Sequence, residues 1–205
     1  MTRGIGRRAR LIAVTLAAGG FVLGSSAAQA HSGTGLPGGF QSGFRHPFGG
    51  LDHLLAMVSV GLWGAFLGRP LIYLLPMIFP AVMAGGALLA MWGLHLPGVE
   101  IGIALSVLVL GTCIATAFGA PVWLASTIVA AFALFHGYAH GQELPSAADP
   151  VGYSTGFVLA TGMLHVLGIG IGTLNALPGG AFATRVMGGL IWTAGLGFLY
   201  VAVVG

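Results

Sequence analysis

The sequence predicts an all-α membrane protein, a polytopic bundle of about six transmembrane helices behind a cleavable leader. Three observations predict it. Of 205 residues, 57% are hydrophobic and only 5% charged, where a soluble domain carries about 25% charged residues. Lipid must therefore cover most of the exterior. Apolar stretches of about twenty residues, the length a helix needs to cross a bilayer, recur between short Gly- and Pro-bearing turns. Glycine supplies 37 residues, well above the usual ~7%. Without a collagen period, that suits membrane helices whose small residues let backbones approach.

The elements follow in order. Arg3 to Arg10 form a basic region, Leu11 to Leu23 an apolar one, and Ala28-Gln29-Ala30 a small-x-small cleavage site. Residues 1–30 thus read as a secretory signal peptide, because the apolar stretch is short and ends in Ser25-Ser26-Ala27-Ala28; the plainer counterpart is an uncleaved anchor helix. Cleavage after Ala30 would make His31 the new N-terminus. His31 to Arg45 is Gly/Ser/Pro-rich and reads as an external lead-in loop. The spans are expected near 48–67, 71–93, 99–118, 121–141, 151–174 and 181–203. The breaks between them are Gly68-Arg69-Pro70, His95-Leu96-Pro97-Gly98, Gly119-Ala120-Pro121, the polar run Gln142 to Pro150, and Asn175 to Gly180. Turns this short predict consecutive helices packed antiparallel. Residues 31–205 form one transmembrane domain, with no repeat and no separate soluble part.

Charge sets the orientation and excludes some partners. The formal net charge is +3, but Arg3, Arg7, Arg8 and Arg10 all belong to the leader and there is no Lys. Nucleic-acid binding is not supported. Cys113 stands alone, so neither a disulfide nor a thiolate metal site can be built within one chain. A cleaved leader puts the mature N-terminus outside. Arg69 and Arg185 then face the cytoplasm, as the positive-inside rule requires. Arg45 falls outside and weakens that signal.

This topology gathers the ionisable residues at one face. His46, Asp52 and His53 lie at the outer end of the first span, and His136, His140 and Glu143 at the outer end of the fourth. Glu100 opens the third span on the same side, His95 sits in the turn before it, and Asp149 lies in the last outer loop. His165 alone is nearer mid-depth. Ionisable groups in membrane helices are costly and are read first as functional. His136, His140 and Glu143 fall at i, i+4 and i+7, one helical stripe. His46 and His53 are seven apart and share a face if the helix starts near Pro47, a residue suited to a first helical position. Asp52 is placed either to ligate or to hold an imidazole tautomer. Gly49, Gly50, Gly137 and Gly141 would let the two helix ends approach. Imidazole suits Zn, Cu, Fe and Ni, and carboxylate adds a harder oxygen. Metal candidates are thus His46, Asp52, His53, His136, His140 and Glu143, with Glu100, His165 and the His31 amine–imidazole pair as outlying members.

Each reading has a plainer counterpart. His136 and His140 can be polar helix glue or haem ligands, and Asp52 a structural acceptor. Glu100 suits a helix N-terminus electrostatically. His165 can be a packed core histidine, and His31 part of an unligated terminus. Pro76 and Pro80 leave carbonyls unpaired and kink the second span. The aromatic residues read mostly as lipid-facing or interfacial. A zinc-dependent intramembrane hydrolase and a haem- or metal-binding membrane partner stay open beside transport.

The segment His46-Pro47-Phe48-Gly49-Gly50-Leu51-Asp52-His53 resembles the His-x5-Asp-His signature of the HupE/UreJ family. Phe135-His136-Gly137-Tyr138-Ala139-His140-Gly141-Gln142-Glu143 resembles that family's second signature, Phe-His-Gly-x-Ala-His-Gly-x-Glu. Both occur without departure and in order. The resemblance implies a hydrogenase or urease accessory protein, a permease importing Ni²⁺, in some members Co²⁺, for metallocentre assembly. It implies an indirect link to maturation proteins and no enzymatic activity. Composition and spacing alone do not separate Ni²⁺ from Co²⁺ or Zn²⁺, and they leave homo-oligomerisation open.

Overall fold

The computed structural model describes residues 39–143 and 149–205. The expected leader and His31 lie outside the described residues. Seven α-helices follow one another: α1 (Gly39–Arg45), α2 (Leu51–Leu67), α3 (Leu71–Met91), α4 (Val99–Ala115), α5 (Val122–Glu143), α6 (Pro150–Thr173) and α7 (Gly180–Val204). Short 3-10 turns occupy His46–Phe48 and Leu174–Ala176. The described residues contain no strand.

Helices α3, α5, α6 and α7 are each long and apolar enough to cross a membrane alone. Helix α2 follows the Gly39–Phe48 segment across an 80° bend, and only the two taken together make a fifth candidate span. The shorter α4 has 17 residues, at the lower limit for crossing a bilayer. The expected six spans are therefore six helices of unequal standing.

Three expectations need correction. The lead-in is not all loop, because Gly39–Arg45 is helical and lies along α6. A Cβ at Gly43 would strike the Tyr153 carbonyl, and one at Gly156 the Phe40 carbonyl; the absence of both lets the two backbones touch. The helix that carries His53 begins at Leu51 rather than near Pro47. Pro47 opens the 3-10 turn, and Gly50 is extended (φ −114°, ψ 123°), which breaks the helix between the two signature histidines. Finally, although helix direction alternates, the intimate packing is not between consecutive helices. Helix α2 lies against α6, α3 against α5, and α4 against α7.

Glycines choose these partners. Gly61 faces the His165 carbonyl while Gly168 faces that of Val58, so α2 and α6 run parallel in contact. Gly86 faces the Leu134 carbonyl and Gly137 that of Met83, which joins α3 to α5. Gly111 and Gly188 do the same for the antiparallel α4–α7 pair. Lipid tails are as apolar as leucine, so backbone proximity and van der Waals contact hold membrane helices together. The centre is α2, buried on every side from Ala56 to Gly64. The outward faces of α6 and α7 expose Met163, Val166, Phe182 and Leu190, as lipid-facing surfaces should. Arg185 donates from Nε to the Ala115 carbonyl at 2.9 Å, tying α7 to the C-terminal end of α4.

Candidate metal centre

The site lies at the end of the bundle where α2 and α6 begin and α5 ends. Helix α5 runs on to Glu143, two residues past the expected boundary, so His136, His140 and Glu143 do share one stripe. Despite the bend, His46 arrives from the 3-10 turn to meet that stripe. Its Nε2 is 3.3 Å from Glu143 Oε2, and His140 Nδ1 is 3.8 Å from the same oxygen. One ligand atom from each of His46, His140 and Glu143 can be chosen so that all three lie within 4.8 Å of one another.

His53 enters from α2. Its ring centroid is 4.8 Å from that of His140 and 5.0 Å from that of His136. Asp52 accepts from the His53 backbone N–H at 2.8 Å and lies 2.9 Å from His53 Nδ1. A carboxylate can only accept, so Nδ1 carries the proton and Nε2 keeps its lone pair. His136 is held the same way, with Nδ1 2.9 Å from the Phe132 carbonyl. The Nε2 atoms of His53 and His136 are both buried without a hydrogen-bond partner. Buried polar atoms are normally satisfied, and two imidazoles with fixed tautomers and bare Nε2 lone pairs are what a metal ligand set requires. Asp52 Oδ1 is thus placed to orient the His53 ring.

The rings continue inward. Phe79 of α3 lies 5.4 Å from His136 and 5.4 Å from His165. From His46 the sequence of neighbours is His140, His53, His136, Phe79 and His165, each 4.8 to 5.4 Å from the next. His136 and His165 are fully buried, at 0% and 1% exposure. Glu100 is exposed at the start of α4, at the same end of the bundle but outside the three-residue cluster. Asp149 caps α6, accepting from the Gly152 N–H at 2.9 Å. His95 is exposed in the turn before α4.

Two features escaped sequence reasoning. Gly137 and Gly141 do not bring α5 to α2. They face Met83 and Ala87, and the space left between α2 and α5 is what the imidazoles fill. The aromatic residues are not all lipid-facing, since Phe79, Tyr153 and Phe157 are buried. Tyr153 and Phe157 wall His46 at 5.8 Å each, and Phe157 lies 4.4 Å from His140. A signal for Phe79 was present: Leu71, Leu75, Phe79, Met83 and Gly86 are the buried stripe of α3 at helical spacing.

Comparison with known proteins agrees with the two signatures. The profile of the "HupE / UreJ protein" family matches residues 19–198. The chain is 45% identical over 171 residues to "Protein HupE" of Rhizobium leguminosarum bv. viciae, covering 83% of this chain and 90% of that one. No solved structure matches significantly. With its apolar helices and a match spanning most of its length, the chain is a multi-pass membrane protein that belongs to the HupE / UreJ family.

Proposed function

We propose that this protein is a permease for a divalent transition metal, Ni²⁺ first and Co²⁺ second, serving hydrogenase or urease metallocentre assembly. The carrying observation is the file of imidazoles running from the Glu143 cluster towards the middle of the bundle. In the orientation argued from the leader, that cluster faces the periplasm of a bacterial inner membrane. Glu143, His46 and His140 capture the ion and replace part of its water. His53 and His136, with Asp52 fixing the first of them, receive it next. Steps of about 5 Å between imidazoles suit an ion that exchanges ligands, and several modest sites favour passage over retention. A hydrolytic zinc centre would use the His46, His140 and Glu143 trio with an open position for water, and would leave the inner imidazoles without a role. Ring centroids 4.8 and 5.0 Å apart leave no space for a porphyrin between any neighbouring pair.

Vesicles containing the purified chain test the proposal. Nickel uptake should be saturable, competed by Co²⁺ more strongly than by Zn²⁺, and lost in His53→Ala. Metal binding requires neutral imidazole. Protons compete with the cation for the imidazole lone pairs and the carboxylate, so uptake should fall as the external medium is acidified. Uptake that is unaltered in His53→Ala and insensitive to acid would rule the proposal out.

A further inference from the structure

Helix α6 carries two buried polar side chains that the proposed pathway leaves unexplained. His165 is 1% exposed, and neither ring nitrogen has a hydrogen-bond partner. Thr161, one turn earlier on the same face, is 0% exposed, and its Oγ1 is equally without a partner. Helical threonines ordinarily return their hydroxyl to a carbonyl three or four residues back. Among the described residues Thr112, Thr116, Thr127, Thr155, Thr173, Thr184 and Thr193 all do so. Thr161 is the exception, and it is the one beside His165.

A third group comes from α3. Pro80 has no N–H, so the carbonyl four residues earlier, that of Pro76, loses its intrahelical donor. Both prolines sit inside the helix, and the Pro76 carbonyl lies beside the His165 ring. His165 and the Pro76 carbonyl thus meet where α3 packs on α6, with Thr161 one turn earlier on the His165 face. The Gly61–His165 backbone contact sets the depth. Gly61 is eight residues beyond His53, about 12 Å further along α2 at 1.5 Å per residue. Side chains lean towards their helix N-terminus, so the rings of His165 on α6 and His136 on the oppositely directed α5 lean towards each other, with Phe79 between them.

We propose that His165, the Thr161 hydroxyl and the Pro76 carbonyl freed by Pro80 form a second, inner binding station for the same class of divalent cation. One nitrogen and two oxygens, completed by water, make a harder and weaker site than the imidazoles above it, as release towards the far side requires. The station rests on the permease reading, and it makes the kink in α3 the source of a ligand.

Equilibrium dialysis of the full chain in detergent micelles against radioactive Ni²⁺ tests it. The wild type should bind two ions, His165→Ala one, and His140→Ala one. Thr161→Val, nearly isosteric, should weaken the second ion about tenfold, in the range seen when a site's supporting groups are lost, and Thr161→Ser should restore it. Pro80→Ala returns an N–H to the Pro76 carbonyl and should also weaken the second ion. One ion in the wild type, lost in His140→Ala and kept in His165→Ala, would overturn the inner station and leave the outer cluster standing. Two ions retained in His140→Ala would overturn the outer cluster instead. Two ions at unchanged affinity in Thr161→Val and Pro80→Ala would remove those oxygens from the site.

Discussion

Cells expressing His140→Ala should take up nickel at limiting concentration at least tenfold more slowly than cells expressing the wild type, the low end of the ~10–100-fold loss that follows removal of even a supporting group at a metal site. His140 is where the candidate site converges. Its ring lies 4.8 Å from His46 on one side and 4.8 Å from His53 on the other, with Glu143 3.8 Å from its Nδ1. Removing it separates the capturing cluster from the inner imidazoles, while the surrounding helices keep their glycine contacts. Initial rates of radioactive nickel accumulation, normalised to protein in the membrane, measure the effect. Wild-type rates in this variant would mean that the ion does not travel past His140.

The second large effect concerns the fold. Gly168→Leu should destabilise the protein by about 3 kcal/mol or more, the scale of severe overpacking, because even a Cβ there would run into the Val58 carbonyl. Gly170→Leu, two residues on, places its side chain where nothing lies within 4 Å and should change stability by about 0.5 kcal/mol or less. Thermal unfolding in micelles, followed by helical circular dichroism, compares the two. Equal melting temperatures would show that α2 and α6 do not depend on this close approach. The same pair explains the glycine content: some glycines are contact points between helices, while others face open space.

Much of the architecture was legible before any coordinates. Span length and the absence of charge identify membrane helices whatever their neighbours, because the bilayer imposes both. The turns at Gly68-Arg69-Pro70 and Gly119-Ala120-Pro121 separate helices as their sequences indicate. Alternation then places His53 and His140 at the same end, since each follows an even number of crossings. The His136/His140/Glu143 stripe was legible for the same reason, as 3.6-residue periodicity is a property of one helix.

What a helix faces was not legible. Phe79 and Met163 look alike in the sequence, yet one is fully buried and the other 56% exposed. In a soluble protein hydropathy would separate them; in a membrane protein lipid and core are equally apolar, so it does not. Gly137 and Gly141 carried no mark of whether they serve α2 or α3. His46 carried no mark of the 80° bend that removes it from the helix of His53 and still delivers it to His140.

The sequence by itself determined that the chain crosses a membrane in helices and that its imidazoles and carboxylates lie mostly at one end. Those properties depend on composition, length and helical period, which are local. Only the tertiary structure decided that α2 stands beside α6 and α3 beside α5, that imidazoles fill the space between α2 and α5, and that Phe79 separates His136 from His165. Those outcomes depend on which backbones can approach within van der Waals contact, and that is a property of pairs of helices rather than of either one alone.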